Sequence, residues 1–381
     1  MGDRPRVLVV YQHLPHYRSG VFAELERRPE VAYEFAAGTE SRDGTIPTIA
    51  PTQVRRFHPL TNHWFGPFLW QSGLLRLLLR ERYQAVVFLG DWAYLSTWVG
   101  AALFRLLRRP VLFWTIGWHR PDTGLRRLVR LAFYRLAHAL LLYARKGARI
   151  GARMGYPTDR MLVIGNSYTS SVAATGVADE ISMDDLEALL PAGDVDVVTC
   201  VVRINRSRRL DLVVRAAARL NNAGRKVVVV LVGTGEEREN LHRLADDLGV
   251  DVRTTGPIYS EEKLRLIYER THVSVLPANA GLTVVQSLSY GRPFITSDNE
   301  DTHGPECEAI QPGRTGGFFV DGSVESLAEV MAEWLDRVRA EPEAVARACR
   351  EEIRARWSPQ AHAVAIDAAV TAALRAAGGV R

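Results

Sequence analysis

The chain has 381 residues, 47% hydrophobic and 24% charged, with a net charge of +5. That length fits two domains, and the mix excludes a disordered chain and a disulfide-stapled miniprotein. No apolar run approaches the roughly 20 residues that a membrane-spanning helix needs.

Cys200, Cys307 and Cys349 stand apart, with no C-x-x-C pair and no metal-ligand spacing. They predict a reducing, cytoplasmic setting. Asp3, Arg4 and Arg6 run straight into a strand, so no secretory signal is expected. Charge is unevenly placed. Residues 1–175 hold 24 Lys+Arg against 11 Asp+Glu, net +13; the remainder holds 24 against 32, net −8. An arginine-rich composition would load both halves, so the first half is expected to meet something anionic.

Residues 6–11 read as a buried strand, followed by Q-H-L-P-H-Y-R-S-G-V-F, in which Val21, Phe22 and Leu25 start a helix and Ser19 can cap it. Residues 31–36 form a second strand, and 38–62 read as loop. Residues 63–82 read as an amphipathic helix, its start delayed by Gly66-Pro67, with Trp64, Phe65, Phe68 and Trp70 beside Arg76, Arg80 and Arg82. Such a stripe suits either a membrane surface or packing on its own sheet. A strand at 85–89 ends in Gly90-Asp91-Trp92, a helix follows at 98–107, and a strand at 111–115 ends in I-G-W-H-R-P. His119 in that loop lies at the strand end where open α/β sheets place ligands; a surface histidine is the plainer alternative. Residues 125–138 form a helix with one basic side, and strands follow at 140–143 and 161–164.

Residues 170–195, small and then acidic, read as a linker. A strand at 196–203 carries Arg203, with Arg208 five residues on and a helix at 211–221. A strand at 226–232 ends in Gly233-Thr234-Gly235. No G-x-x-G continuation follows, which removes the dinucleotide-binding reading. After a helix at 237–248 and a strand at 252–256 come Pro257, Ile258 and Tyr259. A strand at 273–276 leads through Gly281 into a helix with Leu282, Val285 and Leu288 on one face. That helix stops at Gly291 with Pro293 beyond, and a strand at 294–297 follows. Strand, tight glycine loop and helix make an anion site: the first helical N–H groups have no partner, and the dipole is positive there. Gly281, Leu282 and Thr283 are thus candidates to cradle a phosphate. Helices at 323–339 and 361–375 close the chain. The D-x-D at Asp194 and Asp196 opens a strand, the wrong end for a ligand, so no metal is expected.

From residue 195 to 300 the chain resembles the C-terminal half of GT-B glycosyltransferases of the retaining family 4 group. Arg203, Arg208, Asp211, Gly233, Gly235, Gly281, Leu282, Gly291 and Pro293 fall in register with that family's motifs. The family's paired glutamates fall on Ala278 and Gln286, Val202 replaces a glycine, and Arg208 replaces a lysine. The resemblance implies an α/β GT-B fold of two Rossmann-like domains facing a cleft: 1–175 for the acceptor, 190–356 for the nucleotide sugar, and 357–381 crossing back to the first domain. It implies transfer of a sugar from a UDP- or GDP-sugar to an acceptor hydroxyl with retention. No cofactor, metal or nucleic acid would take part.

Arg203 and Arg208 would neutralise the diphosphate, and His119 would touch the transferring sugar. Gly281, Leu282, Thr283, Gln286, Gly233 and Tyr259 would hold the donor. Tyr17, Arg18, Gly20 and Asp91 would face the acceptor, either lipid-linked or at an anionic membrane surface, or else a small soluble aglycone. His303 and Glu306 are candidates to reach the donor phosphates or sugar, with surface loop residues as the plainer alternative. A non-catalytic binding subunit and a sugar-nucleotide epimerase are the alternatives, motivated by Ala278 and Gln286.

Overall fold

A computed structural model describes residues 4–42, 48–169 and 181–378. The chain divides into two compact units, 1–169 with 358–381 and 170–357.

The first unit is built on a parallel sheet of seven strands. In chain order they are β1 (Arg6–His13), β2 (Ala32–Gly38), β3 (Phe57–Pro59), β6 (Ala85–Leu89), β7 (Val111–Thr115), β8 (Ala139–Leu142) and β9 (Met161–Val163), with a separate hairpin of β4 (Thr61–Phe65) and β5 (Phe68–Ser72). The spatial order is β3-β2-β1-β6-β7-β8-β9, so the direction of winding reverses between β1 and β6. The strands are near-continuous apolar runs because helices cover both faces: Val7, Val9, Leu112 and Trp114 point to one cluster, Leu8, Val10, Val86 and Phe113 to the other. The helices are α1 (Ser19–Glu26), α2 (Leu74–Arg80), α3 (Leu95–Leu106), α4 (Gly124–Arg135), α5 (Arg145–Arg153) and the last helix of the chain, α13 (Pro359–Ala376). The last of these buries Ala363, Ile366, Val370 and Leu374 in the core with Phe22 and Trp114. Trp114 meets His362 edge-on at 5.0 Å, and Tyr33 donates to Asp367 Oδ1 at 2.8 Å.

The second unit repeats the scheme. Its strands are β10 (Asp196–Val201), β11 (Val227–Val232), β12 (Asp251–Gly256), β13 (Val273–Val275), β14 (Phe294–Ser297) and β15 (Gly316–Phe319), in the parallel order β12-β11-β10-β13-β14-β15. Its helices are α6 (Met183–Leu189), α7 (Leu210–Asn222), α8 (Arg238–Leu248), α9 (Glu261–Arg270), α10 (Leu282–Ser289), α11 (Val324–Ala340) and α12 (Pro342–Glu352).

Three expectations change. Residues 63–82 do not form one helix. Phe65 pairs with Phe68 across a turn in which Gly66 is left-handed (φ 57), Gly73 breaks the chain again (φ 93), and only Leu74–Arg80 is helical. The physical reason is period: in β4, exposed and half-buried residues alternate strictly, as on a pleated strand. Aromatic residues also favour that geometry. The stretch 38–62 is not all loop, since it contains β3 and the first two residues of β4. The acidic stretch before residue 195 contains α6, capped by Ser182, whose Oγ accepts from the Asp185 N–H at 3.1 Å. Residues 170–180, in the expected linker, lie outside the described residues.

Candidate functional site

In the second unit the winding reverses between β10 and β13, which is where doubly wound sheets hold ligands, beyond the strands' carboxyl ends. The loop after β10 carries Arg203, exposed, and Arg208, half-buried at the end of a short turn, Arg206–Arg208. The loop after β13 carries Asn279, Ala280 and Gly281 in front of α10. Arg208 Nη1 donates to the Asn279 carbonyl, and Asn279 Nδ2 returns a bond to the Ser207 carbonyl at 3.0 Å. Asn279 is left-handed (φ 55), a conformation its side chain tolerates. Thr283 Oγ1 donates to the Val201 carbonyl at 3.1 Å, pinning the first turn of α10 to the end of β10. Gly281 leaves the approach to that turn open: among the described residues, a Cβ there would meet only Glu306 Oε2, at 3.8 Å.

Arg208 Nε is buried and has no hydrogen-bond partner among the described residues. Burial lowers its pKa from the ordinary 12.5, because desolvation penalises the cation. A desolvated guanidinium with an unmet donor, in a loop bonded to the one that opens a helix whose first amides have no intrahelical partner, has the chemistry an anion site needs. His303 braces the same loop from behind. Its Nδ1 accepts the Ala280 N–H at 3.2 Å, which leaves Nε2 to donate to the Ser297 carbonyl at 3.0 Å. The H-G-P-E segment contains this brace, and Asn279 precedes a glycine by two residues. No sequence signal marks the pairing of Asn279 with Ser207.

A cavity of about 430 Å³ adjoins, lined by Val202, Arg203, Gly233, Thr234, Ile258 and Tyr259 among others. The two glycines shape its wall. A Cβ on Gly233 would stand 2.0 Å from the Val202 carbonyl oxygen, and one on Gly235 2.0 Å from that of Ile204. The G-x-G loop therefore presses directly on the β10 loop. So Arg203, Gly233 and Tyr259 share one cavity, while Arg208 and Thr283 each tie the end of β10 or its loop to the segment that holds Gly281. Leu282 is half-buried in the first turn of α10. Gln286 is 7% exposed, accepts a bond from Tyr268 Oη at 3.4 Å, and does not line the cavity. Ala278 is buried. Asp196 is ion-paired with Arg225 and Arg339, and Asp194 with Arg339, at the opposite end of β10.

In the first unit the corresponding reversal lies between β1 and β6. Asp91, exposed after β6, lines a cavity with Gln12, His13, Trp64, Trp92 and Tyr94. Tyr17, Arg18 and Gly20 are not in that lining. Arg18 is 4% exposed, donates to Asn166 Oδ1 at 2.5 Å, and lies over the rings of Tyr17, Trp114 and Tyr143. Gly20 packs tightly: a Cβ there would meet Thr169 Oγ1 at 2.3 Å and Pro359 at 2.9 Å. His119 is exposed in the loop after β7. That loop is held by Arg130 and Tyr134, which both donate to the Gly117 carbonyl, and by Asp122, paired with Arg126 and Arg130.

Two doubly wound parallel sheets, each with a reversal of winding, are the layout of the GT-B class of α/β fold. The solved structure of Anabaena HepE in complex with UDP shares that fold, with a TM-score of 0.68 at 14% identity over 97% of this chain and 100% of that one. Residues 184–354, within the second unit, match the family described as Glycosyl transferases group 1. Two curated relatives align with part of the chain. One is the lipopolysaccharide core biosynthesis glycosyltransferase LpsE of Rhizobium meliloti, 28% identical over 162 residues, 42% of this chain and 45% of the relative. The other is the GDP-mannose-dependent alpha-(1-6)-phosphatidylinositol monomannoside mannosyltransferase of Mycobacterium tuberculosis, 28% identical over 193 residues, 47% of this chain and 48% of the relative. The alignments thus span about half the length of both.

Proposed function

We propose that the chain is a retaining glycosyltransferase that moves a sugar from a nucleotide-diphosphate donor to an acceptor hydroxyl. The bond from the sugar's anomeric carbon to the β-phosphate oxygen breaks, and a bond from that carbon to the acceptor oxygen forms. The nucleoside diphosphate leaves with the electron pair, and the acceptor hydroxyl's proton passes to the departing diphosphate oxygen or to water. The observation that carries this reading is Arg208, a half-buried cation whose Nε has no partner among the described residues, set against the loop that opens α10. Arg208, Arg203 and the amides of Gly281, Leu282 and Thr283 would stabilise the departing diphosphate, the kind of charge stabilisation that often dominates catalysis. Gly233 and Tyr259 would border the nucleoside, and His119 would meet the transferring sugar; the burial of Gln286 argues against a direct donor contact. No metal or cofactor is required in this scheme, since arginines and amides supply the charge.

The donor would be a UDP- or GDP-sugar, in keeping with the UDP bound by HepE and the GDP-mannose dependence of the mycobacterial relative. The acceptor would be a glycan or glycolipid, as the relatives' names describe for those proteins. No helix among the described residues is long and apolar enough to cross a membrane. A peripheral contact in the cytoplasm would use α4, which exposes Leu125 and Leu128 beside Arg126 and Arg127.

Nucleotide release from UDP- and GDP-sugars, with and without a chelator, tests the proposal. Release that survives chelation is expected. Turnover abolished by chelator and restored by magnesium or manganese would overturn the metal-free scheme. Tight donor binding without release would point to a binding subunit. Conversion of the donor with no acceptor and no release would point to an epimerase.

A further inference from the structure

The first unit holds a cavity of about 490 Å³ at the reversal between β1 and β6, outside the donor loops of the second unit. Its walls are Trp64 from the β4–β5 hairpin and Trp92 and Tyr94 from the loop after β6, with Gln12, His13, Ser41, Arg42 and Asp91 as polar groups. We propose that this cavity binds an uncharged pyranose ring, the terminal sugar of the acceptor, an inference that rests on the glycosyltransferase reading above.

The chemistry of the wall selects the ligand class. Aromatic faces suit the C–H faces of a sugar ring, and a few polar groups set its orientation through hydroxyls. Trp64 meets Tyr94 edge-on at 6.1 Å, and Phe68 meets Trp92 edge-on at 6.3 Å, so the hairpin fixes the wall. Leu69 is fully buried against Ala93 and Tyr94 beneath it.

Charge does not favour a phosphate, since the lining sets one carboxylate against one arginine. Arg42 is the cation in the lining, and it is already engaged: its Nη2 donates to the Gly66 carbonyl at 2.8 Å, and its guanidinium lies 4.6 Å from the centre of the Trp64 ring. Asp91 faces the same space. One of its oxygens accepts the Ala93 N–H at 3.0 Å, and the carboxylate keeps further acceptor sites for sugar hydroxyls. Asp91 disfavours a phosphate there, whereas a polyol can donate its hydroxyls to the carboxylate. The basic surface of this unit is therefore left for whatever carries the sugar, and the ring itself goes to the aromatic cavity.

Saturation-transfer NMR on the full chain tests this without a donor. The probes are methyl α-mannopyranoside and methyl β-galactopyranoside, with glycerol 3-phosphate as the anionic comparison. Ring protons of at least one glycoside should show transfer. Trp92→Ala should abolish it, and Asp91→Asn, which preserves shape, should weaken binding about tenfold, the scale of losing a charge-assisted hydrogen bond. Arg208→Ala, in the other unit, should leave it unchanged. Absence of transfer to both glycosides, transfer untouched by Asp91→Asn, or preferential binding of glycerol 3-phosphate would each overturn the inference. Nucleotide release measured on the same preparation separates the two claims. Release without ring binding sinks only this site, and ring binding without release sinks only the transferase reading.

Discussion

His119 and Glu34 show how differently single residues were legible. His119 stands in a loop that sequence alone places at a strand's carboxyl end, and the structure keeps it exposed there. If it meets the transferring sugar, His119→Ala should cut turnover while leaving nucleotide affinity nearly intact, because the candidate nucleotide groups lie in the other unit. An affinity that falls as far as the rate would remove it from that role. Glu34 carried no signal at all in the sequence, being one acidic residue inside an apolar strand. It is 1% exposed and accepts bonds from Arg6, Arg56, His58 and Tyr83. Burial by itself would raise its pKa, but those bonds prevail and hold it at about 2 against an ordinary 4.5. A carboxyl depressed on folding stabilises the protein above its unfolded pKa and loses that contribution as pH falls through the folded one. The contribution is about 3 kcal/mol, lost between about pH 4.5 and 2. Urea unfolding across that range should show a flatter acid limb in Glu34→Gln, and an unchanged limb would refute the assignment.

At the scale of elements, strands were the most legible because both sheets are parallel and covered on both faces, so runs such as the all-apolar β11 announce themselves. The hairpin was not. Its aromatic residues fit a helical stripe as well as a pleat, and the left-handed Gly66 and Gly73 decided between them. The G-x-G motif was visible as a pattern, but its physical reason, contact with the Val202 and Ile204 carbonyls, is long-range and appears only in the folded unit. Gly235→Ala should therefore destabilise the second unit by about 1–3 kcal/mol, the cost of overpacking a tight contact, read as a lower urea midpoint. A chain truncated before Pro359 should lose the first unit's cooperative transition, because α13 fills that unit's core. A truncated chain that melts like the whole one would contradict the packing described.

For the whole molecule, the two-unit plan and the switch-point loops follow from strand and helix order, whereas the neighbours of Arg208 do not. Its partner Asn279 is 71 residues away, and only the sheet order brings the loops together. The charge asymmetry is also a property of the whole chain. If α4 touches a membrane, Arg126→Gln with Arg127→Gln should reduce co-sedimentation with acidic vesicles at low salt, and added salt should do the same to the unaltered protein, since exposed charges are screened within about 8–10 Å. Arg130 is left alone because it braces the Gly117 loop. Vesicles ignored at low salt would leave a soluble acceptor. The most direct test of the central claim is calorimetric titration of UDP and GDP into the full chain and into Arg208→Ala. At least one nucleotide should bind the unaltered protein, and the variant should lose about 2–5 kcal/mol of that affinity, the range for removing one partner of a desolvated charge pair. Equal affinities in the two proteins, or no binding of either nucleotide, would contradict it.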